Sequence, residues 1–129
     1  MTTASFQIEI LGGEAVGEFM RFQPGETLQG SVRITPEADL KARHVYIRLL
    51  WHTEGRGDRD QGIAAEQDVH QGLLRGGTPV YYKFHFRLPD QPWSYAGHYV
   101  NILWGVECSI DLALARDPRD QATFILTPD

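Results

Sequence analysis

The run Val100-Asn101-Ile102-Leu103-Trp104-Gly105-Val106-Glu107-Cys108-Ser109-Ile110 decides the fold. Val100, Ile102, Trp104, Val106, Cys108 and Ile110 fall on one parity, and Asn101, Leu103, Gly105, Glu107 and Ser109 on the other. A β-strand sends successive side chains to opposite faces, whereas a helix would scatter this row around its circumference. The run therefore predicts one long strand with a continuous buried face. Shorter runs of the same kind lie outward from it. Val45, Ile47, Leu49 and Trp51 form an inward row against His44, Tyr46, Arg48, Leu50 and His52. Tyr82, Phe84, Phe86 and Leu88 alternate with Tyr81, Lys83, His85 and Arg87. Leu28, Val32 and Ile34 share a face from which Ser31 and Arg33 point away. Phe6, Ile8 and Ile10 open the series, and Ala122, Phe124 and Leu126 close it. Glu18 to Phe22 and Glu66 to Leu74 are weaker candidates.

Gly12-Gly13, Pro24-Gly25, Gly76-Gly77 and Asp117-Pro118 punctuate these runs at positions that suit turns. About eight short strands spaced in this way read as an all-β antiparallel sandwich. No amphipathic helix is evident, since the segment from Leu112 to Arg116 gives one turn at most. The 129 residues suit a single domain over 1–129, with no internal repeat or linker. Apolar residues make up 42% of the chain, too many for a disordered protein. No apolar run nears the roughly 18 residues that span a bilayer. The start, Met1-Thr2-Thr3-Ala4-Ser5-Phe6, lacks the basic and apolar regions of a secretion signal, so a cytoplasmic location is expected. The lone Cys108 excludes an internal disulfide. A net charge of -5 argues against nucleic acid or an anionic membrane as main partner, unless a local patch overrides it.

Four motifs in order add a second line of argument. Phe22-Gln23-Pro24-Gly25-Glu26 followed by Gly30 resembles the Pro-Gly-Glu signature of arrestin-like domains. Phe84-His85-Phe86-Arg87-Leu88-Pro89 is similar to their Phe-x-Phe-x-Leu-Pro strand, and Pro92-Trp93-Ser94-Tyr95-Ala96-Gly97 to the Pro-x-Ser-x-x-Gly loop after it. Ile102-Leu103-Trp104-Gly105-Val106 resembles the family's Ile-x-Tyr/Trp-x-Val strand. The likeness runs from about Glu18 to Asp111. It implies an immunoglobulin-like sandwich of seven or eight strands, working as a cytoplasmic protein-binding adaptor. Arrestins and the bacterial sporulation-control relatives carry two such sandwiches, and this chain has room for one. The inter-domain polar core of arrestins is incomplete in one sandwich, so phosphate-triggered activation is not carried over. A stand-alone half and a piece of a longer protein both remain open.

The physics of those positions does not depend on the likeness. Pro24 presets a turn and Gly25 supplies a positive φ. Gly30 inside a strand implies a bulge or the close approach of a neighbouring backbone. Pro89 ends a strand because it lacks a ladder donor.

Chemistry finds little footing. Asp58-x-Asp60-x-Gly62 starts like a calcium loop but has Ile63 where glycine is required, so it reads as a solvated loop. His44 and His52 stand eight apart on one strand face, about 26 Å, and cannot share an ion. Nothing in the spacing of His70, His85 and His98 brings them together. Glu107 and Asp111 lie roughly 13 Å apart along a strand, too far for a carboxylate pair on one bond. No Gly-x-Ser-x-Gly elbow occurs, and Cys108 belongs to an inward row where a thiol is inert. Arg56-Gly57-Asp58 spells an integrin triplet that this composition yields by chance. No enzyme, cofactor or metal site is expected.

Surfaces remain. Outward parities carry Arg33, Arg48, Lys83, His85 and Arg87, which would make one basic sheet face if their strands are neighbours. That face would dock an acidic protein segment, although solvent-facing residues on half-buried strands give the same pattern. Trp93, Tyr95 and Tyr99 flank Gly97 and form an alternative site for a small ligand or carbohydrate, unless they merely close the end of the sandwich. A polar strand from Glu66 to Leu74, interrupted by Gly72, has the character of a sheet edge to which a peptide or a second copy can add. The expected function is thus a non-enzymatic adaptor with a protein partner or an edge-paired homodimer.

Overall fold

The computed structural model describes residues 3–55, 59–97 and 100–128. Ten strands follow one another: β1 (Ala4–Leu11), β2 (Glu14–Val16), β3 (Phe19–Phe22), β4 (Thr27–Pro36), β5 (Leu40–Gly55), β6 (Gln61–Leu74), β7 (Val80–Arg87), β8 (Tyr95–Ala96), β9 (Val100–Leu112) and β10 (Arg119–Leu126). No helix occurs among the described residues, and so none long and apolar enough to cross a membrane. β1, β4 and β7 form a three-stranded sheet in that order. The larger sheet runs β2-β3-β10-β9-β5-β6, with β8 added beside the start of β9. Every pairing is antiparallel except that of β3 with β10, where Arg21 lies opposite Ile125 and Phe22 opposite Leu126. The expected sandwich is present. Its extra strands, β2 and β8, are too short to leave a periodic signal.

The inward rows meet between the layers. Leu28, Val32, Ile34, Phe84 and Phe86 from the smaller sheet face Val45, Ile47, Leu49, Trp104, Val106 and Phe124 from the larger, all of them buried. Trp104 is fully buried, and its indole N–H donates to the Pro92 carbonyl at 2.7 Å. That bond ties the segment leaving β7 to the centre of the opposite sheet. The Phe124 ring sits between Trp104 and Phe22, at centroid distances of 6.0 and 5.9 Å.

Turn chemistry behaves as the sequence requires. Gly25 has φ +85° in the turn before β4, and Leu88 N donates to the Glu26 carbonyl at 2.8 Å before Pro89 ends the pairing. At Gly30 the outcome is a close approach, since the β1–β4 register runs through it without a bulge. A Cβ there would meet the Glu9 carbonyl and stand 2.7 Å from the Phe84 ring. Gly30→Ala should therefore destabilise the domain by about 1–3 kcal/mol, because two backbones and a core ring must part. A thermal melt checks this, and an unchanged midpoint contradicts it.

Candidate functional site

The outward residues separate into two groups with opposite electrostatics. On the smaller sheet Arg33 lies opposite Tyr81, Ser31 opposite Lys83, Gln29 opposite His85 and Thr27 opposite Arg87. Side chains directly across neighbouring strands of one face are about 5 Å apart at Cβ, so these cations share one surface. Arg33, Lys83, His85 and Arg87 are all exposed, and Tyr81 beside them is 66% exposed. Glu9 is the one acidic residue on the outward parity of these three strands. Among the described residues no carboxylate ion-pairs with Arg33, Lys83 or Arg87. An open, cationic face is left on a chain whose net charge is -5, with a shallow hollow of about 310 Å³ beside Arg33 lined by Ser5, Gln7 and Thr35.

Arg48 stands elsewhere. Its strand, β5, belongs to the larger sheet, so the condition that the basic strands be neighbours holds for β4 and β7 and not for β5. Arg48 Nε contacts Glu66 at 2.6 Å and its Nη1 lies 3.8 Å from Glu107. The guanidinium also covers the Tyr46 ring at 4.5 Å. Arg43 pairs with Asp111 at 2.7 Å, His44 meets Asp68 at 2.6 Å, and His52 meets Glu54 at 3.1 Å. The Asp68 carboxyl is held below its usual range, chiefly by the hydrogen bond from Gln71 and then by that with His44. Four of the outward bases of β5, Arg43, His44, Arg48 and His52, thus have an acidic neighbour, and Lys41 at its start has none among the described residues. For Arg43, His44 and Arg48 the cause is strand order: β5 lies between β6 and β9, whose outward positions supply Glu66, Asp68, Glu107 and Asp111.

The aromatic loop divides too. Trp93 is 51% exposed, with its indole N–H donating to the Asp90 carbonyl at 2.8 Å. Tyr95 lines a shallow apolar groove of about 290 Å³ with Phe19, Ala96, Leu103 and Ile125, and Trp93 does not contribute to it. Tyr99, His98 and the triplet Arg56-Gly57-Asp58 lie outside the described residues. The described aromatics therefore do not converge on one concavity. A wider concavity of mixed lining, about 680 Å³, lies between the start of β1 and the β9–β10 connection. Arg116, Arg119, Asp117 and Asp120 line it, and Asp117 is engaged by the Leu112 amide at 2.9 Å.

Catalytic geometry is not assembled among the described residues. Cys108 is fully buried, and burial pushes its thiol up to about 12, far from a reactive thiolate. No three metal-ligating side chains come together. His70 turns toward Tyr82, at a ring distance of 6.1 Å, while His85 faces solvent.

Sequence reasoning missed one residue. Gln67 reaches from β6 across to the smaller sheet, where its Nε2 donates to the His85 carbonyl at 3.1 Å. No local pattern signals a contact made between the edges of two sheets.

No protein-family model matches the sequence. No curated relative matches it either. The three-dimensional comparison gives a clear answer. Spo0M, a sporulation control protein from Bacillus subtilis, superposes with a TM-score of 0.71 over 98% of this chain, at 17% sequence identity. The fold is arrestin-like. The chain spans half the length of Spo0M. At that identity the likeness speaks for the fold, the one implied by the Pro24-Gly25-Glu26 and Phe84-to-Pro89 motifs.

Proposed function

We propose that this chain is a non-enzymatic protein-interaction domain whose docking surface is the outer face of the β1-β4-β7 sheet, and whose partner is an acidic polypeptide segment. One observation carries the reading. Arg33, Lys83 and Arg87 stand exposed and unpaired together on that face, while at the centre of the opposite face Arg43, His44, Arg48 and His52 each lie against a carboxylate, leaving only the outlying Lys41 and Arg119 without one among the described residues. A cation held beside its own carboxylate has little left to offer a partner, whereas a free one steers and orients an anionic segment. Lys83, His85 and Arg87 lie outside the hollow beside Arg33, and an open row of this kind suits an extended chain better than a small ligand. Spo0M carries the description of a sporulation control protein. A regulatory adaptor inside the cell is in keeping with that fold neighbour.

Lys83→Glu combined with Arg87→Glu tests the proposal. Wild-type protein, immobilised in about 0.1 M salt, should capture a partner that mass spectrometry identifies. The double variant should lose at least about nine-tenths of that capture, with its melting temperature unchanged within about 2 °C. Capture that survives both reversals overturns the reading.

A further inference from the structure

The backbone of β7 says how such a segment docks. In an antiparallel pair the N–H and C=O groups of alternate residues point alternately toward and away from the neighbouring strand. Leu88 N donates to the Glu26 carbonyl, and Leu88 therefore sets the phase. Phe86, Phe84 and Tyr82 bond toward β4, which leaves the backbone groups of Tyr81, Lys83, His85 and Arg87 pointing to the open edge of the sheet. The Gln67 contact fixes the same phase independently, because it is the His85 carbonyl that reaches outward to accept it. The four residues whose backbone groups point to this edge are thus the four of β7 whose side chains line the basic face. β1, the other edge, has the opposite phase. Glu37 N donates to the Thr3 carbonyl, so the odd-numbered residues of β1 bond to β4. Its open groups belong to Phe6, Ile8 and Ile10, whose side chains point into the sandwich.

We propose that the partner adds to the smaller sheet as a fourth strand beside β7, and that Gln67 is the latch closing this edge until it does. This rests on the docking reading above and gives it a register. Residues of the added strand directly opposite Lys83 and Arg87 fall on the basic face, four positions apart, and carboxylates suit both. The residues between them on the other parity lie along the rim toward β6, where Val69 and Tyr82 are only partly buried, and there apolar side chains fit. The recognised segment is extended, with Asp or Glu at positions i and i+4 and aliphatic residues at i+1 and i+3. Native edge strands are commonly blunted against unwanted pairing. Here one side-chain amide on one carbonyl does so, a cap weak enough for a partner's own backbone donors to replace.

A fluorescein-labelled nonapeptide, with glutamates four apart and valines at the two intervening alternate positions, is the probe, read by anisotropy. Wild-type protein should bind it, and Gln67→Ala should bind about three- to tenfold more tightly, since the latch no longer competes. The same peptide N-methylated at the amides that face β7 should bind at least about tenfold more weakly, although its charges are unchanged. Amide resonances of Tyr81 and Lys83 should shift on binding. Equal binding of the N-methylated peptide overturns strand addition and leaves charge-driven docking on the face intact. Insensitivity to Lys83→Glu with Arg87→Glu overturns the docking reading itself. Resonance shifts confined to β1 or β6, a concentration-dependent dimer that pairs β7 with β7, or no binding at millimolar peptide each overturn the proposed occupant of this edge.

Discussion

Replacing Trp104 with alanine should lower stability by about 3–5 kcal/mol, the largest effect of any single core truncation in this domain. Two losses combine. A fully buried indole leaves a cavity at the centre of β9, under the Phe124 ring and against both sheets. The Pro92 carbonyl also loses its donor, and with it goes the tie that holds the crossing segment against the larger sheet. The same segment is fixed further on by Ser94, whose amide donates to Leu126 O at 2.8 Å while its Oγ accepts from Leu126 N at 2.9 Å. Single domains hold only about 5–15 kcal/mol in total, so the variant should stand close to the threshold of folding. Chemical denaturation gives the number. Trp104→Phe separates the two contributions, for it restores most of the ring volume and leaves the carbonyl unpaired. It should cost about 1–2 kcal/mol. Equal losses for the two variants would show that the hydrogen bond, and not the packing, carries the position.

Trp104 also shows where the sequence is transparent. Its place in the core followed from alternation alone, because a strand with one buried face must repeat every second residue. The same logic located Ile47, Phe84 and Val106, and a glycine inside a strand marked position 30 as a bulge or a close backbone approach, of which the structure has the second. It failed where burial comes from elsewhere. Leu50 has outward parity, yet it is 2% exposed, lying among His52, Glu107 and Gln121 on the outer side of the larger sheet. Alternation does not tell which strands are neighbours either. Period two gave Arg48 the same outward direction as Arg33 and Lys83, and nothing local says that β5 pairs with β9 while β4 pairs with β1 and β7. Those choices depend on connections across tens of residues. The parallel pairing of β3 with β10 and the reach of Gln67 belong to the same class of information. The basic face was legible residue by residue, and its membership was decided by topology.

That difference in membership has a consequence that separates two arginine-to-glutamate substitutions. Arg48→Glu should lower stability by about 2 kcal/mol, or roughly 6–10 °C in melting temperature for a chain of this size. It places a carboxylate where Glu66 and Glu107 already lie within reach of the native guanidinium, and it removes the cation from the Tyr46 ring. Each lost contact is worth only about 0.5–1 kcal/mol at this partial exposure, and repulsion among three carboxylates adds to them. Raising the salt concentration should recover part of the loss, since the repulsion is screened. Arg87→Glu has no such neighbours and should leave the melt unchanged. Binding should respond in the opposite sense. Below its melting temperature Arg48→Glu should hold the acidic nonapeptide as wild type does, and Arg87→Glu should weaken it about tenfold. Thermal melts and anisotropy on the two single variants test both halves at once. An Arg48→Glu protein that melts normally and loses the peptide would transfer the docking surface to the larger sheet, where strand order supplies the carboxylates that now occupy it.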